Sequence, residues 1–328
     1  MTRLLLIFLS VAYISSLDAQ QNRSPFVTIN GTGERSFGIV HSVTYINGAL
    51  WIGADNGLFV QKGSLVSEID INLSHVSYPV SGVAKLKNKI FVATYGGGIA
   101  VIDQNYQFIE QIILAETDDN FLLAIKPFNR SKLLLETING TILLDTTDES
   151  ITRTSDTILR LTGSAQLIDL VTSHETPNVI YALTDRGIFT YVEGSTTAEV
   201  VVEDKVFSTL ESAVLRKSSD NFLVFAQSSV YRVTPETNEI DIFASDRSVN
   251  YEVSDVVQLS GSDYLVAREN LTIASDALST EGTFMDPFVA NKSLNVVYDI
   301  TKTPNENIVL GGPVFGITWL PKTFKYLS

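Results

Sequence analysis

The hydrophobic pattern of this chain consists of short apolar runs separated by polar turns, without a sustained helical period between them. Its clearest example is residues 47–60, NGALWIGADNGLFV, in which two apolar runs flank Asn56 and Gly57. Asn and Gly both tolerate the positive φ that a tight hairpin turn requires. The segment is therefore predicted to form a β-hairpin.

The same hairpin recurs six more times in phase along the chain. Aligned with Gly57, the corresponding turn residues are Gly98, Gly140, Gly187, Ser229, Asn270 and Gly316, at steps of 41 to 47 residues. Repeats of about 40–45 residues are typical of four-stranded propeller blades, which stack because one blade cannot bury both of its faces alone. The sequence thus predicts an all-β fold, a single seven-bladed β-propeller of four-stranded antiparallel blades over residues 38–328, with Trp51 packed between blades.

A propeller ring has to be closed by a strand from near a chain terminus. Residues 20–37 form a polar lead-in that contains an apolar strand at 25–30, PFVTIN. That strand is the natural candidate to complete blade seven, and residues 323–328 are the competing candidate. The sequence does not choose between them.

Residues 1–19 have the layout of a secretory signal peptide. Arg3 precedes an apolar run at 4–14, and small residues follow up to Ala19. An uncleaved membrane anchor is the alternative, but the run is shorter than the roughly 20 residues that span a bilayer. We expect cleavage near Ala19 and a periplasmic or secreted location.

Composition excludes several classes of function. The formal net charge of −14 argues against nucleic acid as a partner, because binding nucleic acid needs a basic face. The absence of cysteine excludes disulfides, thiolate metal sites and cysteine nucleophiles. A hydrophobic content of 45% is ample for a large core without such cross-links.

No motif predicts catalysis or a cofactor. The three histidines lack metal-ligand spacing, and no G-x-S-x-G nucleophile elbow occurs. The glycines at 96–98 lack the helix and the Lys-Ser/Thr of a phosphate loop, so they are interpreted as a hairpin turn. Asp118 and Asp119 are interpreted as solvated loop charges. We therefore predict no catalytic residue, no metal and no cofactor.

Residues 47–58 resemble the repeat of the two-component regulator propeller family, with an Asn-Gly turn, Leu-Trp-Ile-Gly and a second Asp-Asn-Gly-Leu turn. Ala54 stands where Thr is usual, and the other six copies keep the spacing but not the sequence. The resemblance implies the extracytoplasmic sensor module of a hybrid histidine kinase or diguanylate cyclase. Since residues up to 328 include no output domain, we expect a free-standing propeller or the sensor portion of a product with a membrane-anchored kinase or cyclase region.

In propellers, the loops around the central channel on one face usually form the binding site. The candidate ligand-binding residues on these loops are Tyr78, Tyr95, Arg160, Asp185, Arg186, Tyr251 and Arg268. Aromatic and guanidinium groups together suit a sugar, by stacking and hydrogen bonding.

The leading hypothesis is a non-catalytic exported propeller that binds a small molecule, an oligosaccharide or a periplasmic protein. The alternatives are an exported polysaccharide lyase or glycosidase on the same ring, and a scaffold for envelope complexes.

Overall fold

The repeated hairpins fold into seven four-stranded antiparallel sheets that form the blades of a β-propeller. The computed structural model describes residues 27–71, 73, 78–173, 175–245, 252–261, 263–267, 271–275, 283–285, 296–313 and 316–320. The prediction of a seven-bladed all-β ring is confirmed. The predicted signal peptide lies outside the described residues.

The first four blades follow the repeat directly. Blade one comprises β2 (Val40–Ile46), β3 (Ala49–Ala54), β4 (Gly57–Lys62) and β5 (Leu65–Ile69). Blade two comprises β6 (Val80–Leu86), β7 (Lys89–Thr94), β8 (Ile99–Ile102) and β9 (Phe108–Ile112). Blade three comprises β10 (Leu122–Pro127), β11 (Lys132–Thr137), β12 (Gly140–Asp145) and β13 (Ile151–Arg153). Blade four comprises β14 (Leu167–Thr172), β15 (Val179–Thr184), β16 (Gly187–Val192) and β17 (Ala198–Glu203).

The last three blades complete the ring. Blade five comprises β18 (Ala213–Ser218), β19 (Asn221–Ala226), β20 (Ser229–Thr234) and β21 (Glu239–Ser245). Blade six comprises β22 (Asp255–Ser260), β23 (Asp263–Ala267), β24 (Thr272–Ser275) and β25 (Thr283–Met285). Blade seven takes β26 (Asp299–Lys302), β27 (Ile308–Gly312) and β28 (Gly316–Leu320) from the end of the chain and β1 (Val27–Ile29) from its start.

The ring is closed by the N-terminal strand. β1 pairs antiparallel with β28, so that Val27 lies opposite Trp319 and Ile29 lies opposite Ile317. The side chains of Thr28 and Thr318 also contact each other, with their Oγ1 atoms 3.1 Å apart. Of the two candidates from the sequence, the strand at 25–30 is therefore the one that completes blade seven. Residues 323–328 lie outside the described part of the chain.

The first strand of each repeat is innermost, and the interfaces between blades form the core. Trp51 is 1% exposed and packs in one cluster with Val83, Ile90 and Val92 of blade two. The prediction that Trp51 packs between blades is confirmed. Burying a side chain of this size contributes about 3 kcal/mol or more to stability.

A helix that the sequence pattern did not predict lies between blades three and four. This helix, α1 (Thr154–Thr162), ends at Gly163, whose φ of 65° is the left-handed conformation that glycine adopts most easily. Ile158 is fully buried in the interface between the two blades. Two single 3₁₀ turns, Thr117–Asn120 and Lys205–Thr209, lie in other connections between blades. None of the helices in the described residues is long and apolar enough to cross a membrane.

Candidate functional site

The turns between second and third strands and the connections between blades emerge on one face, which we call the hairpin face. In four blades a backbone hydrogen bond joins the turn to the connection that precedes the blade. These bonds run from Asp55 to Ile39, from Tyr95 to Pro79, from Ile138 to Phe121 and from Asp185 to Gln166. Five of the seven predicted ligand-binding residues, Tyr78, Tyr95, Arg160, Asp185 and Arg186, belong to these segments. Tyr251 and Arg268 lie outside the described residues.

Tyr78 and Tyr95 lie close together at the glycine turn of blade two. A Cβ atom built on Gly97 would lie 2.6 Å from Cδ2 of Tyr78, so the turn can approach this ring only because it lacks a side chain there. The Tyr95 ring packs edge-on against Phe121 with 5.1 Å between centroids, and Tyr95 remains 44% exposed. These rings form an aromatic surface on the hairpin face, and their role in ligand binding stays a prediction.

Asp185 and Arg186 hold the end of helix α1 and the segment after it. Oδ1 of Asp185 accepts hydrogen bonds from the backbone N–H groups of Ala165 and Gln166, at 3.1 and 3.2 Å. Arg186 donates to the carbonyl oxygen of Thr162 and forms an ion pair with Glu203 at 2.7 Å. Both side chains thus have structural partners, whereas Arg160 is exposed on the last turn of the helix.

Asp119 contradicts the interpretation of Asp118 and Asp119 as solvated charges. Its side chain is only 3% exposed and accepts from Arg153 at 2.7 Å, although its Oδ1 atom has no hydrogen-bond partner. Arg153 also pairs with Glu116 at 2.6 Å. The cause is the fold of the connection, because the 3₁₀ turn Thr117–Asn120 directs this carboxylate toward the edge of blade three.

The inner strands of all seven blades surround a cavity of about 600 Å³ along the ring axis, which we call the axial channel. Three aspartates of these strands each accept a hydrogen bond from a backbone N–H of the next blade. The bonds join Asp169 to Leu215 at 2.6 Å, Asp255 to Ile300 at 3.0 Å and Asp299 to Val43 at 2.7 Å. These aspartates tie neighbouring blades together, a role that the repeat pattern did not predict.

Asp255 and Asp299 form a carboxyl pair at the junction of blades six and seven. The Ile300 N–H donates to Oδ2 of Asp255 and to Oδ1 of Asp299, at 3.0 Å each, so two carboxyl oxygens meet at one donor. Arg216 donates to the other oxygen of Asp255 at 2.5 Å. Burial raises the pKa of Asp299 well above its usual range, and the neighbouring charge of Asp255 raises it further. Asp299 therefore holds its proton more tightly than an ordinary aspartate does.

A cleft of about 380 Å³ between blades three and four opens from the axial channel, and we call it the blade 3–4 cleft. Its walls are strands β10, β11, β12 and β14 together with helix α1. Its polar lining includes Lys126, Glu136, Asn139, Gln166 and Asp169, and its apolar lining includes Leu134, Leu159, Leu167 and Leu170. The inner strands of blades one and two, β2 and β6, pack closely against each other, and so do β6 and β10 of blades two and three. The inner strands of blades three and four, β10 and β14, do not.

Glu136 occupies a position at which other blades pack against their neighbours. The equivalent residue is Gly53 in blade one and Gly311 in blade seven. A Cβ atom at Gly53 would lie 2.7 Å from the Val80 carbonyl oxygen of blade two, and one at Gly311 would lie 2.8 Å from Val40 of blade one. Blade three instead places a long charged side chain at this interface, which keeps blades three and four apart.

The charges in the blade 3–4 cleft face one another without pairing. Burial raises the pKa of Glu136, and the positive charge of Lys126 opposes that shift. Burial likewise raises the pKa of Asp169, against the charges of Lys126 and Arg216. Within the described part of the chain, the side chains of Lys126 and Glu136 form neither a hydrogen bond nor an ion pair, and both are exposed to the solvent in the cleft. A carboxylate such as Glu136, which lies in a cleft and whose pKa is shifted by burial, is a candidate binding group.

The sequence interpretation missed Lys126, Glu136 and Asp169. Glu136 stands out against the repeat, because it is the one charged residue at a strand position where pairing places Gly53, Ala93, Leu183, Phe225, Val266 and Gly311 in the other blades. Among the described residues, no cluster of three or more His, Asp or Glu side chains is arranged to hold a metal ion.

No protein-family model matches the chain, and no curated protein matches it in sequence. Among solved structures, it is similar to the extracellular domain of a protein described as the hybrid two-component system BT4673 from B. thetaiotaomicron. The identity is 16% and the TM-score is 0.69, over 90% of this chain and 39% of that chain. A protein described as the hybrid two-component system BT3049 of the same organism gives 16% identity and a TM-score of 0.65, over 90% and 41%. The chain thus spans about two fifths of these relatives.

The fold is also similar to that of YCF48 from Cyanidioschyzon merolae, at 13% identity and a TM-score of 0.67. This likeness covers 91% of this chain and 99% of that one. A structure of YCF48 bound to D1 peptide matches with a TM-score of 0.65 at 13% identity, over 92% and 98%. At these identities, the comparisons show a shared propeller fold.

Proposed function

We propose that this chain is an exported, ligand-binding propeller of the kind that forms the extracellular part of two-component sensors. The observation that carries the proposal is the likeness of its fold, over 90% of its length, to the extracellular domain of a hybrid two-component system. The resemblance of residues 47–58 to the repeat of such sensors and the signal-peptide layout of residues 1–19 support the same function.

The proposed ligand-binding surface is the hairpin face together with the blade 3–4 cleft that opens beside it. The tyrosines at 78 and 95 offer aromatic rings, and the cleft offers unpaired charges and amides. Rigid blades that present such groups at their loops and interfaces suit ligand recognition. The ligand would be a small molecule, an oligosaccharide or a periplasmic protein, and the output would pass to a membrane-anchored kinase or cyclase.

Binding is tested by measuring the melting temperature of the full chain with separate panels of oligosaccharides, amino acids and peptides, followed by calorimetry on any hit. A ligand at a hundred times its Kd stabilises the folded state by about 2.7 kcal/mol, which a melting curve detects readily. Turnover of a polysaccharide would favour the enzyme alternative instead. If no panel shifts the melting temperature and only large proteins bind, the scaffold alternative is favoured.

Export is tested separately by fusing alkaline phosphatase after residue 26. The fusion is expected to be active, because this reporter enzyme needs an oxidising compartment to form its disulfides. A matched fusion in which Leu6 and Phe8 are replaced by Asp should be inactive, since charges disrupt the apolar core of a signal peptide. Equal activity of the two fusions would contradict export by this segment.

A second candidate is a propeller that binds a peptide segment of a partner protein. It is favoured by one observation, that a YCF48 structure with a bound peptide matches this single propeller over 98% of its own length. The peptide panel separates the two candidates. A peptide of eight or more residues that binds far more tightly than any small molecule would favour the peptide-binding propeller.

A further inference from the structure

We infer that the blade 3–4 cleft is a binding site for a small zwitterion with an aliphatic chain, such as a free aliphatic amino acid or a dipeptide. This inference rests on the proposed function, since it names the ligand class and the place where the propeller would bind it.

The first argument is the cost of the cleft to the fold. In blades one and seven, glycine at the position of Glu136 lets the neighbouring blade approach to van der Waals contact. In blades two, four, five and six the position is apolar. A carboxylate at this interface gives up apolar contact between blades and loses part of its hydration, and both effects are unfavourable for folding. A local conflict of this kind is expected at functional sites.

The second argument is the charge arrangement. Lys126 extends from β10 and Glu136 from β11, and their side chains act on each other electrostatically without forming an ion pair. The aspartates of the described channel, by contrast, have partners; the two oxygens of Asp169, for example, accept from the Leu170 and Leu215 N–H groups. The unpaired ammonium and carboxylate match a ligand that carries both opposite charges.

The third argument is the apolar wall. Leu134, Leu159, Leu167 and Leu170 line the cleft, and no aromatic ring is among its described lining residues. Sugar sites usually provide a ring for stacking, so the lining favours an aliphatic chain over a pyranose. A volume of about 380 Å³ accommodates an amino acid or a dipeptide and excludes a long oligosaccharide.

The orientation of the ligand follows from these positions. Its carboxylate would face Lys126, its ammonium would face Glu136, and the amides of Asn139 and Gln166 would complete the polar contacts. Its aliphatic chain would lie on the leucines.

The test is calorimetric titration of the full chain with L-leucine, L-valine and leucyl-leucine. Two matched probes each lack one charge: N-acetyl-L-leucine has no ammonium and L-leucinamide has no carboxylate. We expect the zwitterions to bind and each matched probe to bind at least about tenfold more weakly, a difference of about 1.4 kcal/mol.

Variants assign the contacts. Glu136→Gln should reduce the affinity for leucine about tenfold and should also reduce the affinity for leucinamide, because both ligands carry the ammonium. Lys126→Gln should reduce the affinity for leucine but barely change that for leucinamide, which lacks the carboxylate. Glu110→Gln, on the outer strand of blade two, is the control and should bind as the parent does. Glu136→Leu should raise the melting temperature while abolishing binding, because it restores an apolar interface.

The inference is overturned if Glu136→Gln and Lys126→Gln bind the zwitterions as tightly as the parent does. It is also overturned if oligosaccharides or long peptides bind while the zwitterions do not, and in that case the proposed function survives. If no probe in any class binds, both fail. Far-ultraviolet circular dichroism of each variant separates loss of binding from loss of folding.

Discussion

The ion pair between Arg153 and Asp119 gives a prediction whose size follows from the structure. Arg153 is the last residue of strand β13, and it donates to Oδ2 of Asp119, a carboxylate that is 3% exposed and whose Oδ1 atom has no hydrogen-bond partner. In the variant Arg153→Ala, Asp119 would stay buried and lose its compensating charge. The connection between blades two and three would have to open to hydrate it.

The magnitude lies between two limits. Removing one partner of a fully buried pair costs about 3–5 kcal/mol, whereas an exposed pair contributes about 0–1 kcal/mol. Asp119 is buried, but the side chain of Arg153 is 30% exposed, so solvent screens part of the interaction. We therefore expect Arg153→Ala to lower the free energy of unfolding by about 3 kcal/mol.

The assay is urea unfolding followed by tryptophan fluorescence at neutral pH. The midpoint should fall without a change in slope, because the stability changes and the surface exposed on unfolding does not. In the double variant with Asp119→Asn, most of the stability should return, since no buried charge is left uncompensated. The exposed pair of Arg35 and Glu68 is the matched control, and Arg35→Ala should cost less than about 1 kcal/mol.

The reasoning would be refuted if Arg153→Ala were as stable as the parent within about 0.5 kcal/mol, the usual range for a surface substitution. It would equally be refuted if the double variant were less stable than Arg153→Ala. Either result would mean that the carboxylate is hydrated in solution.

Three further predictions concern the ring. The folded-state pKa of Asp299 is raised, so its contribution to stability is present at low pH and is lost as the pH rises through that pKa. The free energy of unfolding of Asp299→Asn should therefore fall less from acid to neutral pH than that of the parent. An equal fall in both proteins would contradict this. Deleting residues 27–29 should lower the melting temperature by several degrees, because blade seven would lose its outer strand. Deletion of residues 20–24 is the control. If the two deletion variants had equal melting temperatures, the result would count against closure of the ring by β1. Gly53→Ala should cost about 1–3 kcal/mol in urea unfolding, because its Cβ would lie 2.7 Å from the Val80 carbonyl oxygen. A cost below about 0.5 kcal/mol, as for an ordinary surface substitution, would contradict the close packing of blades one and two.

The architecture could be predicted from the sequence because it depends on local signals that repeat. Each hairpin carries its own alternation of apolar runs and turn residues, and seven such units in phase leave few alternatives to a propeller. Trp51 could be assigned to the interface between blades for the same reason, since a large apolar residue at a repeated strand position has to be buried.

The candidate site could be predicted only in part. The hairpin face was identified from strand order, and Tyr78 and Tyr95 do lie together on it. The partners of Asp185 and Arg186 could not be foreseen, because they belong to helix α1, a departure from the repeat. Asp119 was misread because adjacent acidic residues are usually solvated, and only a long-range partner, Arg153, made its burial tolerable.

The sequence by itself determined the number of blades, the strands within them and the turns that join them, because these follow from contacts between residues that are near in the chain. The tertiary structure decided which terminal strand closes the ring and which aspartates tie neighbouring blades. It also decided that Glu136 and Lys126, on neighbouring strands of blade three, line a cleft against blade four. The reason is physical: the environment of a charge depends on groups that are distant in sequence, and only the closed ring brings those groups together.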